Sequence, residues 1–285
     1  MSSDFKIYNA TDVWQIETSL PSIPTFSQSL DKILGTNGIQ LGSLTELLGL
    51  SGSGKTQLCL QLCASVQIPK VLGGLNSEAL YVDTNANFTV ERFKEILFSS
   101  IAKCQAIMGS SILIKEEDAL KKFHYVKAFG LENFCAFLYQ IPNFLTDKPH
   151  IKLIIIDSIA FPFKEGISLK QRTGLLFRLM AGLQKIALNK QIAVVLTNEM
   201  TTRIGLSTGA IVGSLGDTWS HRCNTRLLLT APEPLRNLRL AVILKSNVAA
   251  EGVAKFQSFM GIEPAMASMS DSCCTIALTH CYVLL

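Results

Sequence analysis

The run Gly49-Leu50-Ser51-Gly52-Ser53-Gly54-Lys55-Thr56 has the residue types and spacing of a complete Walker A loop. Glycines at these positions let successive backbone N–H groups wrap a β-phosphate. Lys55 would then reach the β- and γ-phosphates, while the Thr56 hydroxyl would hold Mg²⁺. The implied chemistry is binding of a nucleoside triphosphate with Mg²⁺, in this chain or in one from which it descends. A second candidate is Asp157, which ends the apolar run Lys152-Leu153-Ile154-Ile155-Ile156 in the pattern of a Walker B strand. Such a carboxylate lands beside the phosphate loop and holds the water shell of the metal; its plainer role is to cap the next helix. Gln57 and Arg92 are further candidate nucleotide contacts.

These side chains are useful only if strands and helices bring them together. The apolar stretch Leu44-Thr45-Glu46-Leu47-Leu48 reads as a buried strand leading into the loop, and a helix over about Lys55 to Val66 aims its partially positive N-terminus at the anion. Ala79 to Asp83 and His124 to Ala128 read as strands, as do Lys152 to Asp157 and Ile192 to Thr197. Val90 to Lys103, Leu131 to Ile141 and Leu169 to Leu188 read as helices between them. Continuous apolar strands alternating with helices predict an α/β fold, a mostly parallel twisted sheet covered on both faces. Thr225 to Thr230 and Leu238 to Leu244, separated by Pro232 and Pro234, predict an antiparallel hairpin at its edge. Thr201 to Gly216, with four glycines, reads as a loop without an element of its own. Residues 1–24 are expected to be an irregular arm or linker, 25–263 the core, and 264–285 a tail with no assignable period. Thr25 or Ser27 would cap a short helix closed by Gly35.

The 285 residues are 48% apolar and 17% charged, which excludes a disordered chain. The formal charge of +4 is too small to argue for a nucleic-acid partner by itself. No basic-then-apolar leader opens the sequence and no apolar run has the length of a membrane span, so the expectation is an intracellular protein with no membrane partner. Of the eight cysteines, Cys59 and Cys63 stand four apart on one helix face and read as small core hydrophobes. Cys104, Cys135 and Cys223 complete no metal-ligand spacing, and Cys273, Cys274 and Cys281 fall in the tail.

Taken in order, these motifs resemble the RecA/RadA recombinase superfamily, and within it the eukaryotic recombination paralogues, nearest the paralogue designated C. The resemblance rests on Leu48 to Cys59, Val66-Gln67-Ile68-Pro69, Tyr81-Val82-Asp83-Thr84 and Ile156 to Phe163. It continues through Val195-Leu196-Thr197-Asn198, Met200-Thr201-Thr202 and Leu215-Gly216-Asp217-Thr218-Trp219. It implies a RecA-type P-loop core that binds ATP and acts in homologous-recombination repair, including meiotic recombination, in the nucleus. The implied partners are other recombination paralogues, the strand-exchange recombinase, and single-stranded and branched DNA, in a hetero-oligomer.

Departures from the family bear on catalysis. Where the family has a water-polarising glutamate after the second strand stands Asn85, and an amide cannot accept a proton at neutral pH. Where it has a γ-phosphate-sensing glutamine stands Glu199, a carboxylate that a triphosphate repels unless a cation intervenes. Two readings follow: hydrolysis has decayed while binding persists, or Glu199 has taken over as base. An active DNA-stimulated ATPase with strand exchange and a nucleotide-independent scaffold are the alternatives. The family's N-terminal helical domain has no counterpart in the short arm, so either that module is dispensable or the sequence is a truncated product. The family's DNA-facing loops would here supply Lys164, Lys170 and Arg172 after the Walker B strand and Arg203 in the glycine-bearing stretch. Lys245 matches a segment that reaches a neighbouring subunit's nucleotide, or is a plain strand-end lysine. Trp219 either transmits nucleotide state or packs.

Overall fold

Each apolar run turns alternate residues to opposite faces of one sheet, and the computed structural model lays helices on both. It describes residues 6–108, 114–164, 166–202, 211–215, 217–232 and 237–257. A small antiparallel ladder, β1 (Ser22–Ile23) with β2 (Ile39–Gln40), precedes the main sheet. The main sheet is built from β3 (Leu44–Gly49), β4 (Glu78–Asp83), β5 (Phe123–Lys127), β6 (Ile151–Asp157), β7 (Ala193–Thr202), β9 (Thr225–Thr230), β10 (Leu238–Lys245) and β11 (Val253–Gln257), with β8 (Ile211–Gly213) paired off β7. Their order is β11-β10-β9-β3-β7-β6-β4-β5. From β9 to β5 every pairing is parallel. β9, β10 and β11 pair antiparallel at the other edge.

The helices are α1 (Ala10–Ser19), α2 (Gln28–Leu34), α3 (Lys55–Ser65), α4 (Val90–Met108), α5 (Glu116–Lys121), α6 (Leu131–Asp147), α7 (Leu169–Lys190) and α8 (Asp217–Ser220). Leu47, Tyr81, Ile155 and Val195 face the core that α2, α3 and α4 cover. Their sequence neighbours Leu80, Val82, Ile154, Ile156, Val194 and Leu196 face the core under α6 and α7. Each such side chain, removed from water, contributes roughly 1.5–3 kcal/mol, so both faces hold the sheet's register. Cys59, Cys63, Cys104 and Cys223 are buried, as expected of core residues; burial pushes the thiols of Cys59, Cys63 and Cys223 up.

The α/β class with an antiparallel edge agrees with the sequence, but several elements differ. The stretch read as irregular holds α1, capped by the Asn9 side chain accepting from the Asp12 N–H at 2.9 Å, and no residue of α1 is buried. A cap and a run free of glycine and proline favour a helix locally. α5 begins with Glu116, Glu117 and Asp118, which favour a helix N-terminus, yet it is too short to show a period. α6 runs on through Pro142 to Asp147. The 201–216 stretch is not purely a loop: β7 extends to Thr202, and β8 returns antiparallel, with Met200 opposite Gly213 and Thr202 opposite Ile211. The outgoing strand needs partners for its backbone N–H and C=O groups, and the backbone of β8 supplies them. Outside the described residues lie Arg203, most of that stretch, and the tail with Cys273, Cys274 and Cys281.

Candidate nucleotide site

The parallel strands end together at their C-termini, and there the motifs converge. Gly49 at the end of β3 lies opposite Glu199 of β7, and Asp83 of β4 opposite Asp157 of β6. Open α/β sheets bind ligands at this edge. A Cβ on Gly49 would strike the Ser53 hydroxyl and the Leu229 carbonyl, so only glycine fits the start of the turn. Gly54, at φ +98°, is the residue from which α3 departs. That left-handed geometry is free of steric cost only for glycine. The turn therefore delivers Lys55 and Thr56 at a helix N-terminus, a natural anion site.

Lys55 Nζ donates to the carbonyls of Gly49 (2.8 Å) and Leu50 (2.9 Å). Burial lowers its pKa, while the charges of Asp157 and Glu199 work the other way. Thr56 Oγ1 donates to Asp157 Oδ2 at 2.7 Å, so the two proposed metal-binding groups already touch. Asp157 is held by two more hydroxyls that sequence reading missed: Tyr81 donates to Oδ2 at 2.7 Å and Thr197 to Oδ1 at 2.5 Å. Burial and then the Asp157 charge raise the Tyr81 phenol's pKa, which keeps it a donor. A carboxylate beside a hydroxyl is a hard-oxygen donor set suited to Mg²⁺. The glycine cradle, the lysine and this pair fit ATP with Mg²⁺. Gly49 to Gln57 would hold the phosphates and Thr56 with Asp157 the metal, whose charge would neutralise the β- and γ-oxygens.

The surrounding residues complete a cleft of about 490 Å³. Asn85 lines it, its backbone N–H donating to Asp83 Oδ1 at 3.0 Å. Arg92 lines it from the first turn of α4, donating from Nε to Gln57 Oε1 (2.9 Å) and pairing with Glu95 (2.7 Å). Glu199 lines it too, its Oε2 2.7 Å from Lys164 Nζ. Arg239 of β10 was not foreseen. Its side chain passes 3.8–4.0 Å from where a Gly54 Cβ would stand, and it lines the same cleft. No local signal could have found it, because antiparallel pairing of β10 on β9 alone brings it to the loop.

The other expected contacts are scattered. Lys164, read as a DNA contact, makes the ion pair with Glu199 and sits over the Phe161 ring at 4.9 Å. Lys170 and Arg172 stand in the first turn of α7, not in a loop. The reason is a capping box: Ser168 Oγ accepts from the Gln171 N–H, and Gln171 reaches back to Ser168. Lys245 Nζ donates to the carbonyls of Cys223 (2.8 Å) and His221 (3.3 Å) within the chain. Trp219 is buried, and its indole N–H donates to Glu46 at 2.7 Å.

Comparison with known proteins agrees with this geometry. A family model described as Rad51 matches residues 17–263. The chain is 34% identical over 278 residues to the DNA repair protein RAD51 homolog 3 of Cricetulus griseus, covering 94% of this chain and 75% of that one. It is 30% identical over 217 residues to the RAD51 homolog 3 of Dictyostelium discoideum, covering 73% and 57%. It is 31% identical over 206 residues to the DNA repair and recombination protein RadA of Metallosphaera sedula, covering 70% and 59%. Against the last two, the chain spans under two thirds of the relative's length.

Proposed function

The chain belongs to the Rad51 family, and from that membership we propose that it is an ATP·Mg²⁺-binding recombination paralogue in homologous-recombination DNA repair, with weak or absent hydrolysis. The observation that carries this is the state of the cleft's two lining carboxylates. Asp157 is engaged by three hydroxyls and Glu199 by an ammonium. A general base needs a carboxylate oxygen able to take a proton from water, and Asn85 offers none. The loop, Lys55 and the Thr56–Asp157 pair retain what binding needs. The site therefore favours a nucleotide-gated assembly subunit, one that joins other recombination paralogues and the strand-exchange recombinase in the nucleus, with meiotic recombination included in its role. Lys170, exposed on α7, and Arg203 would contribute contacts to single-stranded or branched DNA.

The test is ATP binding and turnover on the purified chain beside Lys55→Ala and Asn85→Glu. Binding without turnover is expected, lost in Lys55→Ala and joined by measurable hydrolysis in Asn85→Glu. Turnover in the natural chain that Glu199→Gln abolishes would instead make Glu199 the base and the protein a working ATPase.

A further inference from the structure

A carboxylate in a triphosphate cleft is a liability unless its charge is compensated, and Glu199 sits at the end of β7 directly opposite the first glycine of the phosphate loop. Its charge is felt by Lys55, the residue that would meet the outer phosphates. The compensating group is Lys164, 2.7 Å away. Lys164 is not placed there by chance flexibility. The turn Phe161–Phe163 follows β6, with Pro162 and Phe163 buried in the core and the Lys164 N–H donating to the Phe161 carbonyl at 3.2 Å. The Phe161 ring lies beneath the ammonium. Backbone and ring together aim Lys164 at the cleft rim.

We propose that Lys164 is a specificity-determining residue: by neutralising Glu199 it lets the cleft accept a nucleoside triphosphate as well as a diphosphate. The pair is half exposed, with side-chain accessibilities of 47% and 36%, so its contribution to fold stability is small. Its effect is on the ligand, because an uncompensated Glu199 repels the outermost phosphate, which ATP has and ADP lacks, more than the inner ones. The inference rests on the nucleotide-binding reading above and deepens it.

The experiment measures ATP and ADP affinities with Mg²⁺ by displacement of a fluorescent ADP analogue. The chains compared are the natural one, Lys164→Ala, Lys164→Arg, Glu199→Gln and the Lys164→Ala/Glu199→Gln pair. In Lys164→Ala the preference for ATP over ADP falls about tenfold, as expected for one like charge at several ångströms in a partly solvated site. Lys164→Arg keeps the natural ratio, and the double variant recovers it. A ratio that Lys164→Ala leaves unchanged, or that the double variant does not restore, overturns the inference while leaving nucleotide binding intact. Absence of any nucleotide binding by the natural chain overturns both.

Discussion

Asp157 shows how one side chain acquires its role from its neighbours. A lone strand-end aspartate is free to rotate or to cap a helix, whereas here three hydroxyl donors fix both of its oxygens. Of the three, Tyr81 is the one whose loss isolates the effect. Its ring packs against Phe88, Phe123 and Tyr125, and a phenylalanine preserves that packing. Tyr81→Phe removes a hydrogen bond to a charged acceptor, worth about 1–2 kcal/mol, so Mg²⁺-dependent nucleotide affinity should fall roughly tenfold. Thermal stability should fall by a similar amount, about 1–2 kcal/mol, so the affinities are compared well below the melting transition. A magnesium titration of nucleotide binding reads this directly; an unchanged midpoint would show that Thr56 and Thr197 hold the carboxylate by themselves. Asp157 was legible as a candidate site residue because its strand and the glycine-rich loop carry local patterns. Tyr81 and Thr197 were not, because nothing in their spacing tells which way a hydroxyl points.

At the scale of elements, the entry to the core turns on the joint between β1 and α2. Asp31 of α2 is 1% exposed and accepts from the Thr25 N–H (2.9 Å) and hydroxyl (2.8 Å), which ties the strand to the helix. Burial outweighs those hydrogen bonds and raises its pKa from 3.8 to about 6. The folded value lies above the unfolded one, so the folded chain binds the proton more tightly and this group favours folding more as pH falls from about 6 towards 3.8. Above that window its buried charge costs stability, on the order of 3 kcal/mol. Asp31→Asn should therefore raise the melting temperature at pH 7.5, and the gain should shrink as pH approaches 4. Melting curves of the two chains across that range check the sign, and a gain that does not depend on pH would refute it. The α2 helix itself was readable from Ser27 before it and Gly35 closing it, although the Ser27 side chain makes no capping bond. The charge state of Asp31 depends on how deeply the joint packs, which no local pattern records.

Across the whole molecule, Glu46 is the point where distant segments meet. It lies in the middle of β3 with no exposed surface, accepting from Arg226 of β9, Trp219 of α8 and Asn198 of β7. Asn198 in turn accepts from Ser214, whose N–H donates to the Glu199 carbonyl at 2.9 Å. Ser214, just after β8, is thus bonded to the strand end that carries Glu199. Removing one partner of a buried ion pair leaves the other charge stranded, at a cost of about 3–5 kcal/mol. Glu46→Ala should lower the urea midpoint by that equivalent, and Trp219→Phe by about 2 kcal/mol, the loss of one hydrogen bond to a charge. Equal, small effects in both would mean that Glu46 is not the hub.

Periodicity and spacing, read along the chain, determined the parallel α/β class, the glycine-rich turn after β3, the strand ending in Asp157 and the buried cysteines, because each is written in residues close together in sequence; the family followed from the resemblance of the motifs taken in order. Tertiary structure alone decided that Arg239 overlies the loop and that Tyr81 and Thr197 lock Asp157. It also decided that Glu199 meets Lys164 and that Glu46 gathers Arg226, Trp219 and Asn198. Those contacts join residues on separate strands, and only the order and register of the folded sheet bring them within hydrogen-bond distance.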